Sequence, residues 1–140
     1  MNAIDLLKKH EGYRRFPYLC TAGKLTIGFG KNIQEVGLTE EEAAYLLEKD
    51  VLGAVGRLRT EPYWLDLNEV RQAVLINMVF NLGWSRFNGF KQMLARVQSA
   101  DYAGAAAEMM ASRWADQVKG RAVELAEMMK SGEWPCGSTG

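Results

Sequence analysis

Glu11, Cys20 and Thr26 are the residues of this 140-residue chain whose types and spacing could do chemistry together. Glu11 closes a stretch, residues 2–11, that reads as a helix. Ile4, Leu6 and Leu7 form its apolar stripe, Lys8, Lys9 and His10 make a basic last turn, and Gly12 can stop it. A helix C-terminus carries partial negative charge, so the three basic residues obey its preference and Glu11 opposes it. A carboxyl disfavoured as an anion is a candidate proton donor, whereas the plain reading is a solvated Glu at a frayed end. Cys20 and Thr26 flank a turn. If Thr21, Ala22 and Gly23 close a three-residue loop, Cys20 pairs with Lys24 and Tyr18 with Thr26. Those four side chains then share a face, with the Cβ atoms of Cys20 and Thr26 roughly 7 Å apart as diagonal neighbours. A sulfur and a hydroxyl so spaced can hold a water, and the Lys24 ammonium would lower the thiol's pKa. A two-residue loop would scatter them, leaving Thr26 a β-former and Cys20 a small hydrophobe.

The elements that must position these groups are mainly helical, with one short β region. Pro17, Gly23, Gly28 and Gly30 punctuate a Tyr-, Phe-, Leu-, Thr- and Ile-bearing stretch over 13–34, which is hairpin chemistry. Thr39 and Glu42 have capping-box spacing and open a helix running to about Leu58, before a break at Pro62. Asn68 to Leu82 is nearly continuously apolar after Gln72, reads as a central buried helix, and ends at Gly83. Shorter helices are expected at about 89–98, 102–113 and 120–130. The fold class is therefore α+β: one domain over 1–140, with a small hairpin lobe at about 13–58. A helical lobe of 1–12 and 59–134 and an irregular tail at 135–140 complete it. A cleft between two lobes is a common ligand site.

Composition removes several classes. A 48% hydrophobic content with four Trp, five Tyr and five Phe supplies a core and excludes a disordered chain. Lys plus Arg equals Asp plus Glu at 17 each, so the basic excess of a nucleic-acid binder is missing. Cys20 and Cys136 are too few for a disulfide scaffold. No apolar run approaches the ~18 residues of a membrane span, and Asp5 and the basic residues of MNAIDLLKKHEGYRR interrupt any signal peptide. Synthesis in the cytosol without an export signal is the expectation. His10, the single His, has no metal-ligand partner at a useful spacing, so neither metal nor other cofactor is expected.

Further polar groups deserve placing. Asn77 and Asn81 lie four apart and project from one helix face, either tying down a loop or lining a cleft. Arg113, Trp114 and Arg121 follow; a Trp face suits the apolar side of a sugar ring, although a Trp is more often core.

The run EGYRRFPYLCTAGKLTIGFG resembles the catalytic hairpin of the phage-type lysozymes, glycoside hydrolase family 24. That family's motif is Glu, eight residues, Asp or in some members Cys, five residues, Thr, and Glu11, Cys20 and Thr26 match it. The likeness continues through VRQAVLINMVFNLG, Gly89-Phe90, SRW with the following Arg121, and the terminal GEW, and so spans most of the chain. It implies a two-lobed lysozyme fold, bacterial peptidoglycan as substrate, and hydrolysis of the β-1,4 bond between N-acetylmuramic acid and N-acetylglucosamine. Glu11 would be the acid, Cys20 and Thr26 the water-holding pair, and the product inverted at the anomeric carbon. The resemblance also implies supporting or substrate-binding places for Tyr18, Lys31, Asn81, Phe90, Trp114 and Arg121, the last pairing with the catalytic Glu.

Three departures stand out: Cys20 holds the usual Asp position, the stretch before Thr39 is short, and the net charge is zero where several relatives are basic. Lys31 also stands where a relative carries His. A thiol near its ordinary pKa of about 8.5 would position water rather than supply charge. The rival readings are a lytic transglycosylase, which releases a 1,6-anhydro product, and a non-catalytic wall-binding protein, which releases nothing. A monomer that depends on a holin-type protein to reach the wall, with no stable membrane insertion and no nucleic-acid partner, completes the expectation.

Overall fold

Asn2 caps the first helix, α1 (Ala3–Glu11), by accepting from the Asp5 amide at 2.9 Å while the Asp5 carboxylate accepts from the Asn2 amide. Gly12, at φ +70, ends it, with its N–H on the Lys8 carbonyl. The computed structural model describes residues 1–135, so Cys136 and all but the first residue of the expected tail lie outside the described residues. Three antiparallel strands follow: β1 (Arg14–Leu19), β2 (Leu25–Gly28) and β3 (Lys31–Asn32), in the order β1-β2-β3. The hairpin expectation thus gains a third, two-residue strand.

Thr39 and Glu42 exchange the reciprocal bonds of a capping box, 2.9 and 3.1 Å, at the start of α2 (Glu40–Leu58). A 3-10 turn at Trp64–Asp66 leads to α3 (Glu69–Leu82), capped by Asn68. Val70, Val74, Leu75, Met78, Val79 and Leu82 are buried along α3, yet Phe80 is about half exposed, so this helix keeps one side open. Then come α4 (Trp84–Asn88), α5 (Lys91–Gln98), α6 (Tyr102–Met110), α7 (Arg113–Val118) and α8 (Gly120–Ser131). The expected 102–113 helix stops at Met110, and α7 is an additional element that Ser112 starts by capping it through its hydroxyl, which accepts from the Ala115 amide.

The chain divides into two compact units, Met1–Leu47 and another from Glu48 onward, with α2 running across the division. That differs from the lobes read from sequence: α1 groups with the sheet, and the boundary falls inside α2. In the second unit Leu58, Val74, Leu75, Met78, Phe87, Met93, Met109 and Met129 form a methionine-rich core between α3, α5, α6 and α8. Within the first unit Thr26 is the only buried residue.

Arg71 ties the first turn of α3 to the last turn of α8. Its Nε donates to the Met129 carbonyl at 2.7 Å and its Nη2 to Lys130 at 3.1 Å, while the guanidinium lies 3.9 Å from the Tyr102 ring centroid. The last carbonyls of α8 have no helical donors, and a cation there also meets the negative end of the dipole. Arg71→Ala is expected to cost about 2 kcal/mol, and Arg71→Lys, with one point charge for two carbonyls, to recover only part. Urea midpoints check this, and an unchanged midpoint for Arg71→Ala would remove the clamp.

Candidate active site

Glu11 is the last residue of α1, and its carboxylate lies directly over Gly30. A β-carbon on Gly30 would fall 2.6 Å from Glu11 Oε2, 2.8 Å from Cδ and 3.1 Å from Cγ. Gly30, at φ +76, belongs to the Gly28-Phe29-Gly30 turn, which is closed by the Ile27–Lys31 pair of β2 and β3. The same turn anchors the helix. Phe29 contacts the Tyr13 ring at 5.7 Å between centroids and receives the Lys8 ammonium at 5.6 Å. Sequence reading treated Gly30 as punctuation and missed this contact. The available signal was the doubled glycine around an aromatic, since two glycines in one turn allow a close approach as well as a bend.

The β1–β2 register follows the three-residue-loop alternative. Tyr18 faces Thr26 and Leu19 faces Leu25, the Cys20 amide bonds the Lys24 carbonyl at 2.9 Å, and Gly23 takes the left-handed position at φ +74. Thr26 is 3% exposed, and its hydroxyl donates to the Lys24 carbonyl at 2.8 Å. With its proton committed there, the Thr26 oxygen keeps lone pairs for an incoming donor. The half-buried Cys20 thiol is pulled below the ordinary thiol range, first by the Lys24 backbone N–H and then by that of Ala22. Partial burial opposes this, and the Thr26 hydroxyl adds to the lowering only when it turns its proton from the Lys24 carbonyl to the sulfur. One correction to the sequence reading follows. Lys24 acts through its amide, whereas its ammonium is 2.7 Å from Glu35.

The neighbours on this unit are held too. Tyr18 is half-buried beneath the Arg14 guanidinium, 4.5 Å from its ring centroid. Lys31 sits 3.6 Å from Glu42, whose carboxyl is kept below its usual range by the Thr39 amide and hydroxyl, and less by Lys31. Lys31 is therefore engaged with α2.

The remaining expected residues lie in the second unit, where both asparagines of α3 have work. Asn77 Oδ1 accepts from Arg121 Nε at 2.9 Å, and Asn81 Oδ1 accepts from Trp114 Nε1 at 2.7 Å. Trp114 is 3% exposed and meets Phe90 edge-on at 6.0 Å, so its ring is chiefly core. Both rings border a cavity of about 550 Å³ whose polar lining includes Arg86, Glu108, Arg113 and Gln117. Among the described residues no group of three or more His, Cys, Asp or Glu could hold a metal ion.

Comparison with known proteins identifies the family. The phage lysozyme family profile matches residues 8–129. An endolysin of Acyrthosiphon pisum secondary endosymbiont phage 1 is 32% identical over 132 residues, covering 91% of this chain and 87% of that protein. The probable T4-type lysozyme 1 of Dictyostelium discoideum is 27% identical over 158 residues, covering 91% and 93%. The pre-baseplate central spike protein Gp5 of Enterobacteria phage T4 is 28% identical over 161 residues, covering 94% of this chain and 28% of that larger protein. With a Glu at the end of its first helix, a Cys and Thr on the adjoining hairpin, and a family match over nearly its whole length, the chain belongs to the phage lysozyme family and is a glycoside hydrolase acting on peptidoglycan.

Proposed function

We propose that this enzyme hydrolyses the β-1,4 bond between N-acetylmuramic acid and N-acetylglucosamine, with inversion at the anomeric carbon. Glu11 protonates the departing glycosidic oxygen. Cys20 and Thr26 hold the attacking water on the opposite face of the sugar. The observation that carries this reading is the register of β1 on β2, which sets a thiol of lowered pKa beside a buried hydroxyl that has free lone pairs. As the bond breaks, its electron pair leaves with the oxygen and takes the Glu11 proton. The water's oxygen bonds to the anomeric carbon while one of its protons moves toward the sulfur–hydroxyl pair. A thiolate there accepts that proton and sets negative charge near the oxocarbenium-like centre, as a carboxylate would. Phe90 and the polar groups around its cavity are proposed substrate contacts, with Trp114, Asn81 and Asn77 as support for Phe90 and Arg121.

No helix among the described residues is long and apolar enough to cross a membrane. We place synthesis in the host cytoplasm and action at the wall as a monomer, after a holin-type protein opens the way.

Digestion of purified peptidoglycan, with mass spectrometry of the fragments and proton NMR of the first-formed anomer, tests the reaction. The expected products carry reducing N-acetylmuramic acid ends, formed initially as the α-anomer. A 1,6-anhydro ring would make the enzyme a transglycosylase, and an initial β-anomer would remove the single-displacement mechanism.

A further inference from the structure

We infer that Gly30 is a positioning residue for Glu11: the missing side chain at the β2–β3 turn is the seat on which the acid's carboxyl rests. This inference rests on the proposed role of Glu11 as proton donor. Within its own unit, Met1–Leu47, Glu11 makes no hydrogen bond or ion pair that would otherwise fix its head group. What restrains it is contact. Its Oε2, Cδ and Cγ all lie closer to a β-carbon built on Gly30 than van der Waals contact allows, the nearest at 2.6 Å. Real β-carbons do not tolerate such an approach to an oxygen, so any side chain at 30 must push the carboxyl off the turn. The turn itself is held to α1 by Phe29, which touches Tyr13 and Lys8 on either side of Glu11 in sequence. Helix end and seat are thus fixed to each other by Phe29, and the exposed Glu11 carboxyl lies over the seat. Proton transfer depends steeply on such placement, and a misplacement near 1 Å can lower a rate roughly a hundredfold.

The same turn contains its own control. Gly28 has φ +72, nearly the +76 of Gly30, but a β-carbon on Gly28 would meet nothing within 4 Å. Alanine at either site carries the same kind of left-handed backbone strain, and only at 30 does it strike Glu11.

Gly30→Ala and Gly28→Ala are to be compared by steady-state kinetics on soluble glycan fragments and by thermal melting. Gly30→Ala is expected to lower kcat about 10- to 100-fold with KM within about threefold, while Gly28→Ala keeps kcat within about threefold. Gly30→Ala should also melt below Gly28→Ala, and that gap should close in a Glu11→Ala background, where no carboxyl remains to be struck. The melting cycle still reads the contact if Gly30→Ala is too unstable for kinetics. Equal kcat losses in the two alanine variants, or a melting gap that persists without Glu11, would overturn the inference. Full activity of Glu11→Gln would instead overturn the role of Glu11 on which it rests.

Discussion

Glu11→Gln is expected to lower wall-lytic activity by about a thousandfold or more while leaving the folded state as stable as before. The amide has the shape of the carboxyl and can occupy the same place over Gly30. What it lacks is an acidic proton to give to a leaving sugar oxygen, and without that the bond must break to an unprotonated alkoxide. Stability should hold because Glu11 is exposed and no hydrogen bond or ion pair within its own unit depends on it. The kinetic signature is a fall in kcat and kcat/KM together, since the proton is transferred only in the transition state. Turbidity clearance of wall suspensions and a thermal melt suffice to check it. Lysis at the wild-type rate by a well-folded Glu11→Gln enzyme would take Glu11 out of the mechanism and leave the β1–β2 hairpin without its acid.

What the chain disclosed in advance was governed by how local each signal was. The β1–β2 register follows from loop length and one glycine: CTAGK offers three loop residues with Gly at the last, the position that needs φ > 0. Thr39 with Glu42 announces a helix start through reciprocal bonds spanning three residues, whereas the matching Asn2–Asp5 box at α1 went unread. The short helices were hidden for the opposite reason. α4 has five residues and α7 six, below the length at which propensity sustains a helix in water. They exist because Phe87 in one and Trp114 and Ala115 in the other are buried, which is a tertiary fact. α1 was assigned to the helical lobe because it is a helix; it groups with the sheet because Phe29 meets Tyr13 and Lys8.

The site divides along the same line. Glu11, Cys20 and Thr26 could be picked out by type and spacing, and the juxtaposition of Cys20 with Thr26 followed from the loop. The Gly30 seat could not be read, because it joins a helix end to a turn nineteen residues away by simple absence of a side chain. The source of the thiol's lowered pKa was also misread from sequence. The Lys24 ammonium looked like the nearest charge, but Glu35 engages it, and backbone amides at the mouth of the turn do the work. An amide dipole leaves no trace in residue type.

That backbone origin has the second large consequence, at Cys20. In a Cys136→Ser background, carbamidomethylation with iodoacetamide is expected to lower activity about a hundredfold or more, because the added group occupies the space beside Thr26 where water must sit. The alkylation rate should rise with pH through a midpoint below that of an ordinary thiol, since only the thiolate attacks. The pH dependence of turnover should follow in sign. If the thiolate is the base, kcat climbs as pH rises through the lowered thiol pKa and falls off below it as the sulfur takes up a proton. Cys20→Asp carries the decisive comparison: a carboxylate stays ionised to far lower pH, so that limb should move down into the carboxylate range with turnover at neutral pH retained or raised. Cys20→Ala should lose activity throughout without moving the limb to lower pH. Full activity after complete alkylation would make the sulfur a spectator. An unchanged limb in Cys20→Asp would assign that titration to another group and leave Thr26 alone to orient the water.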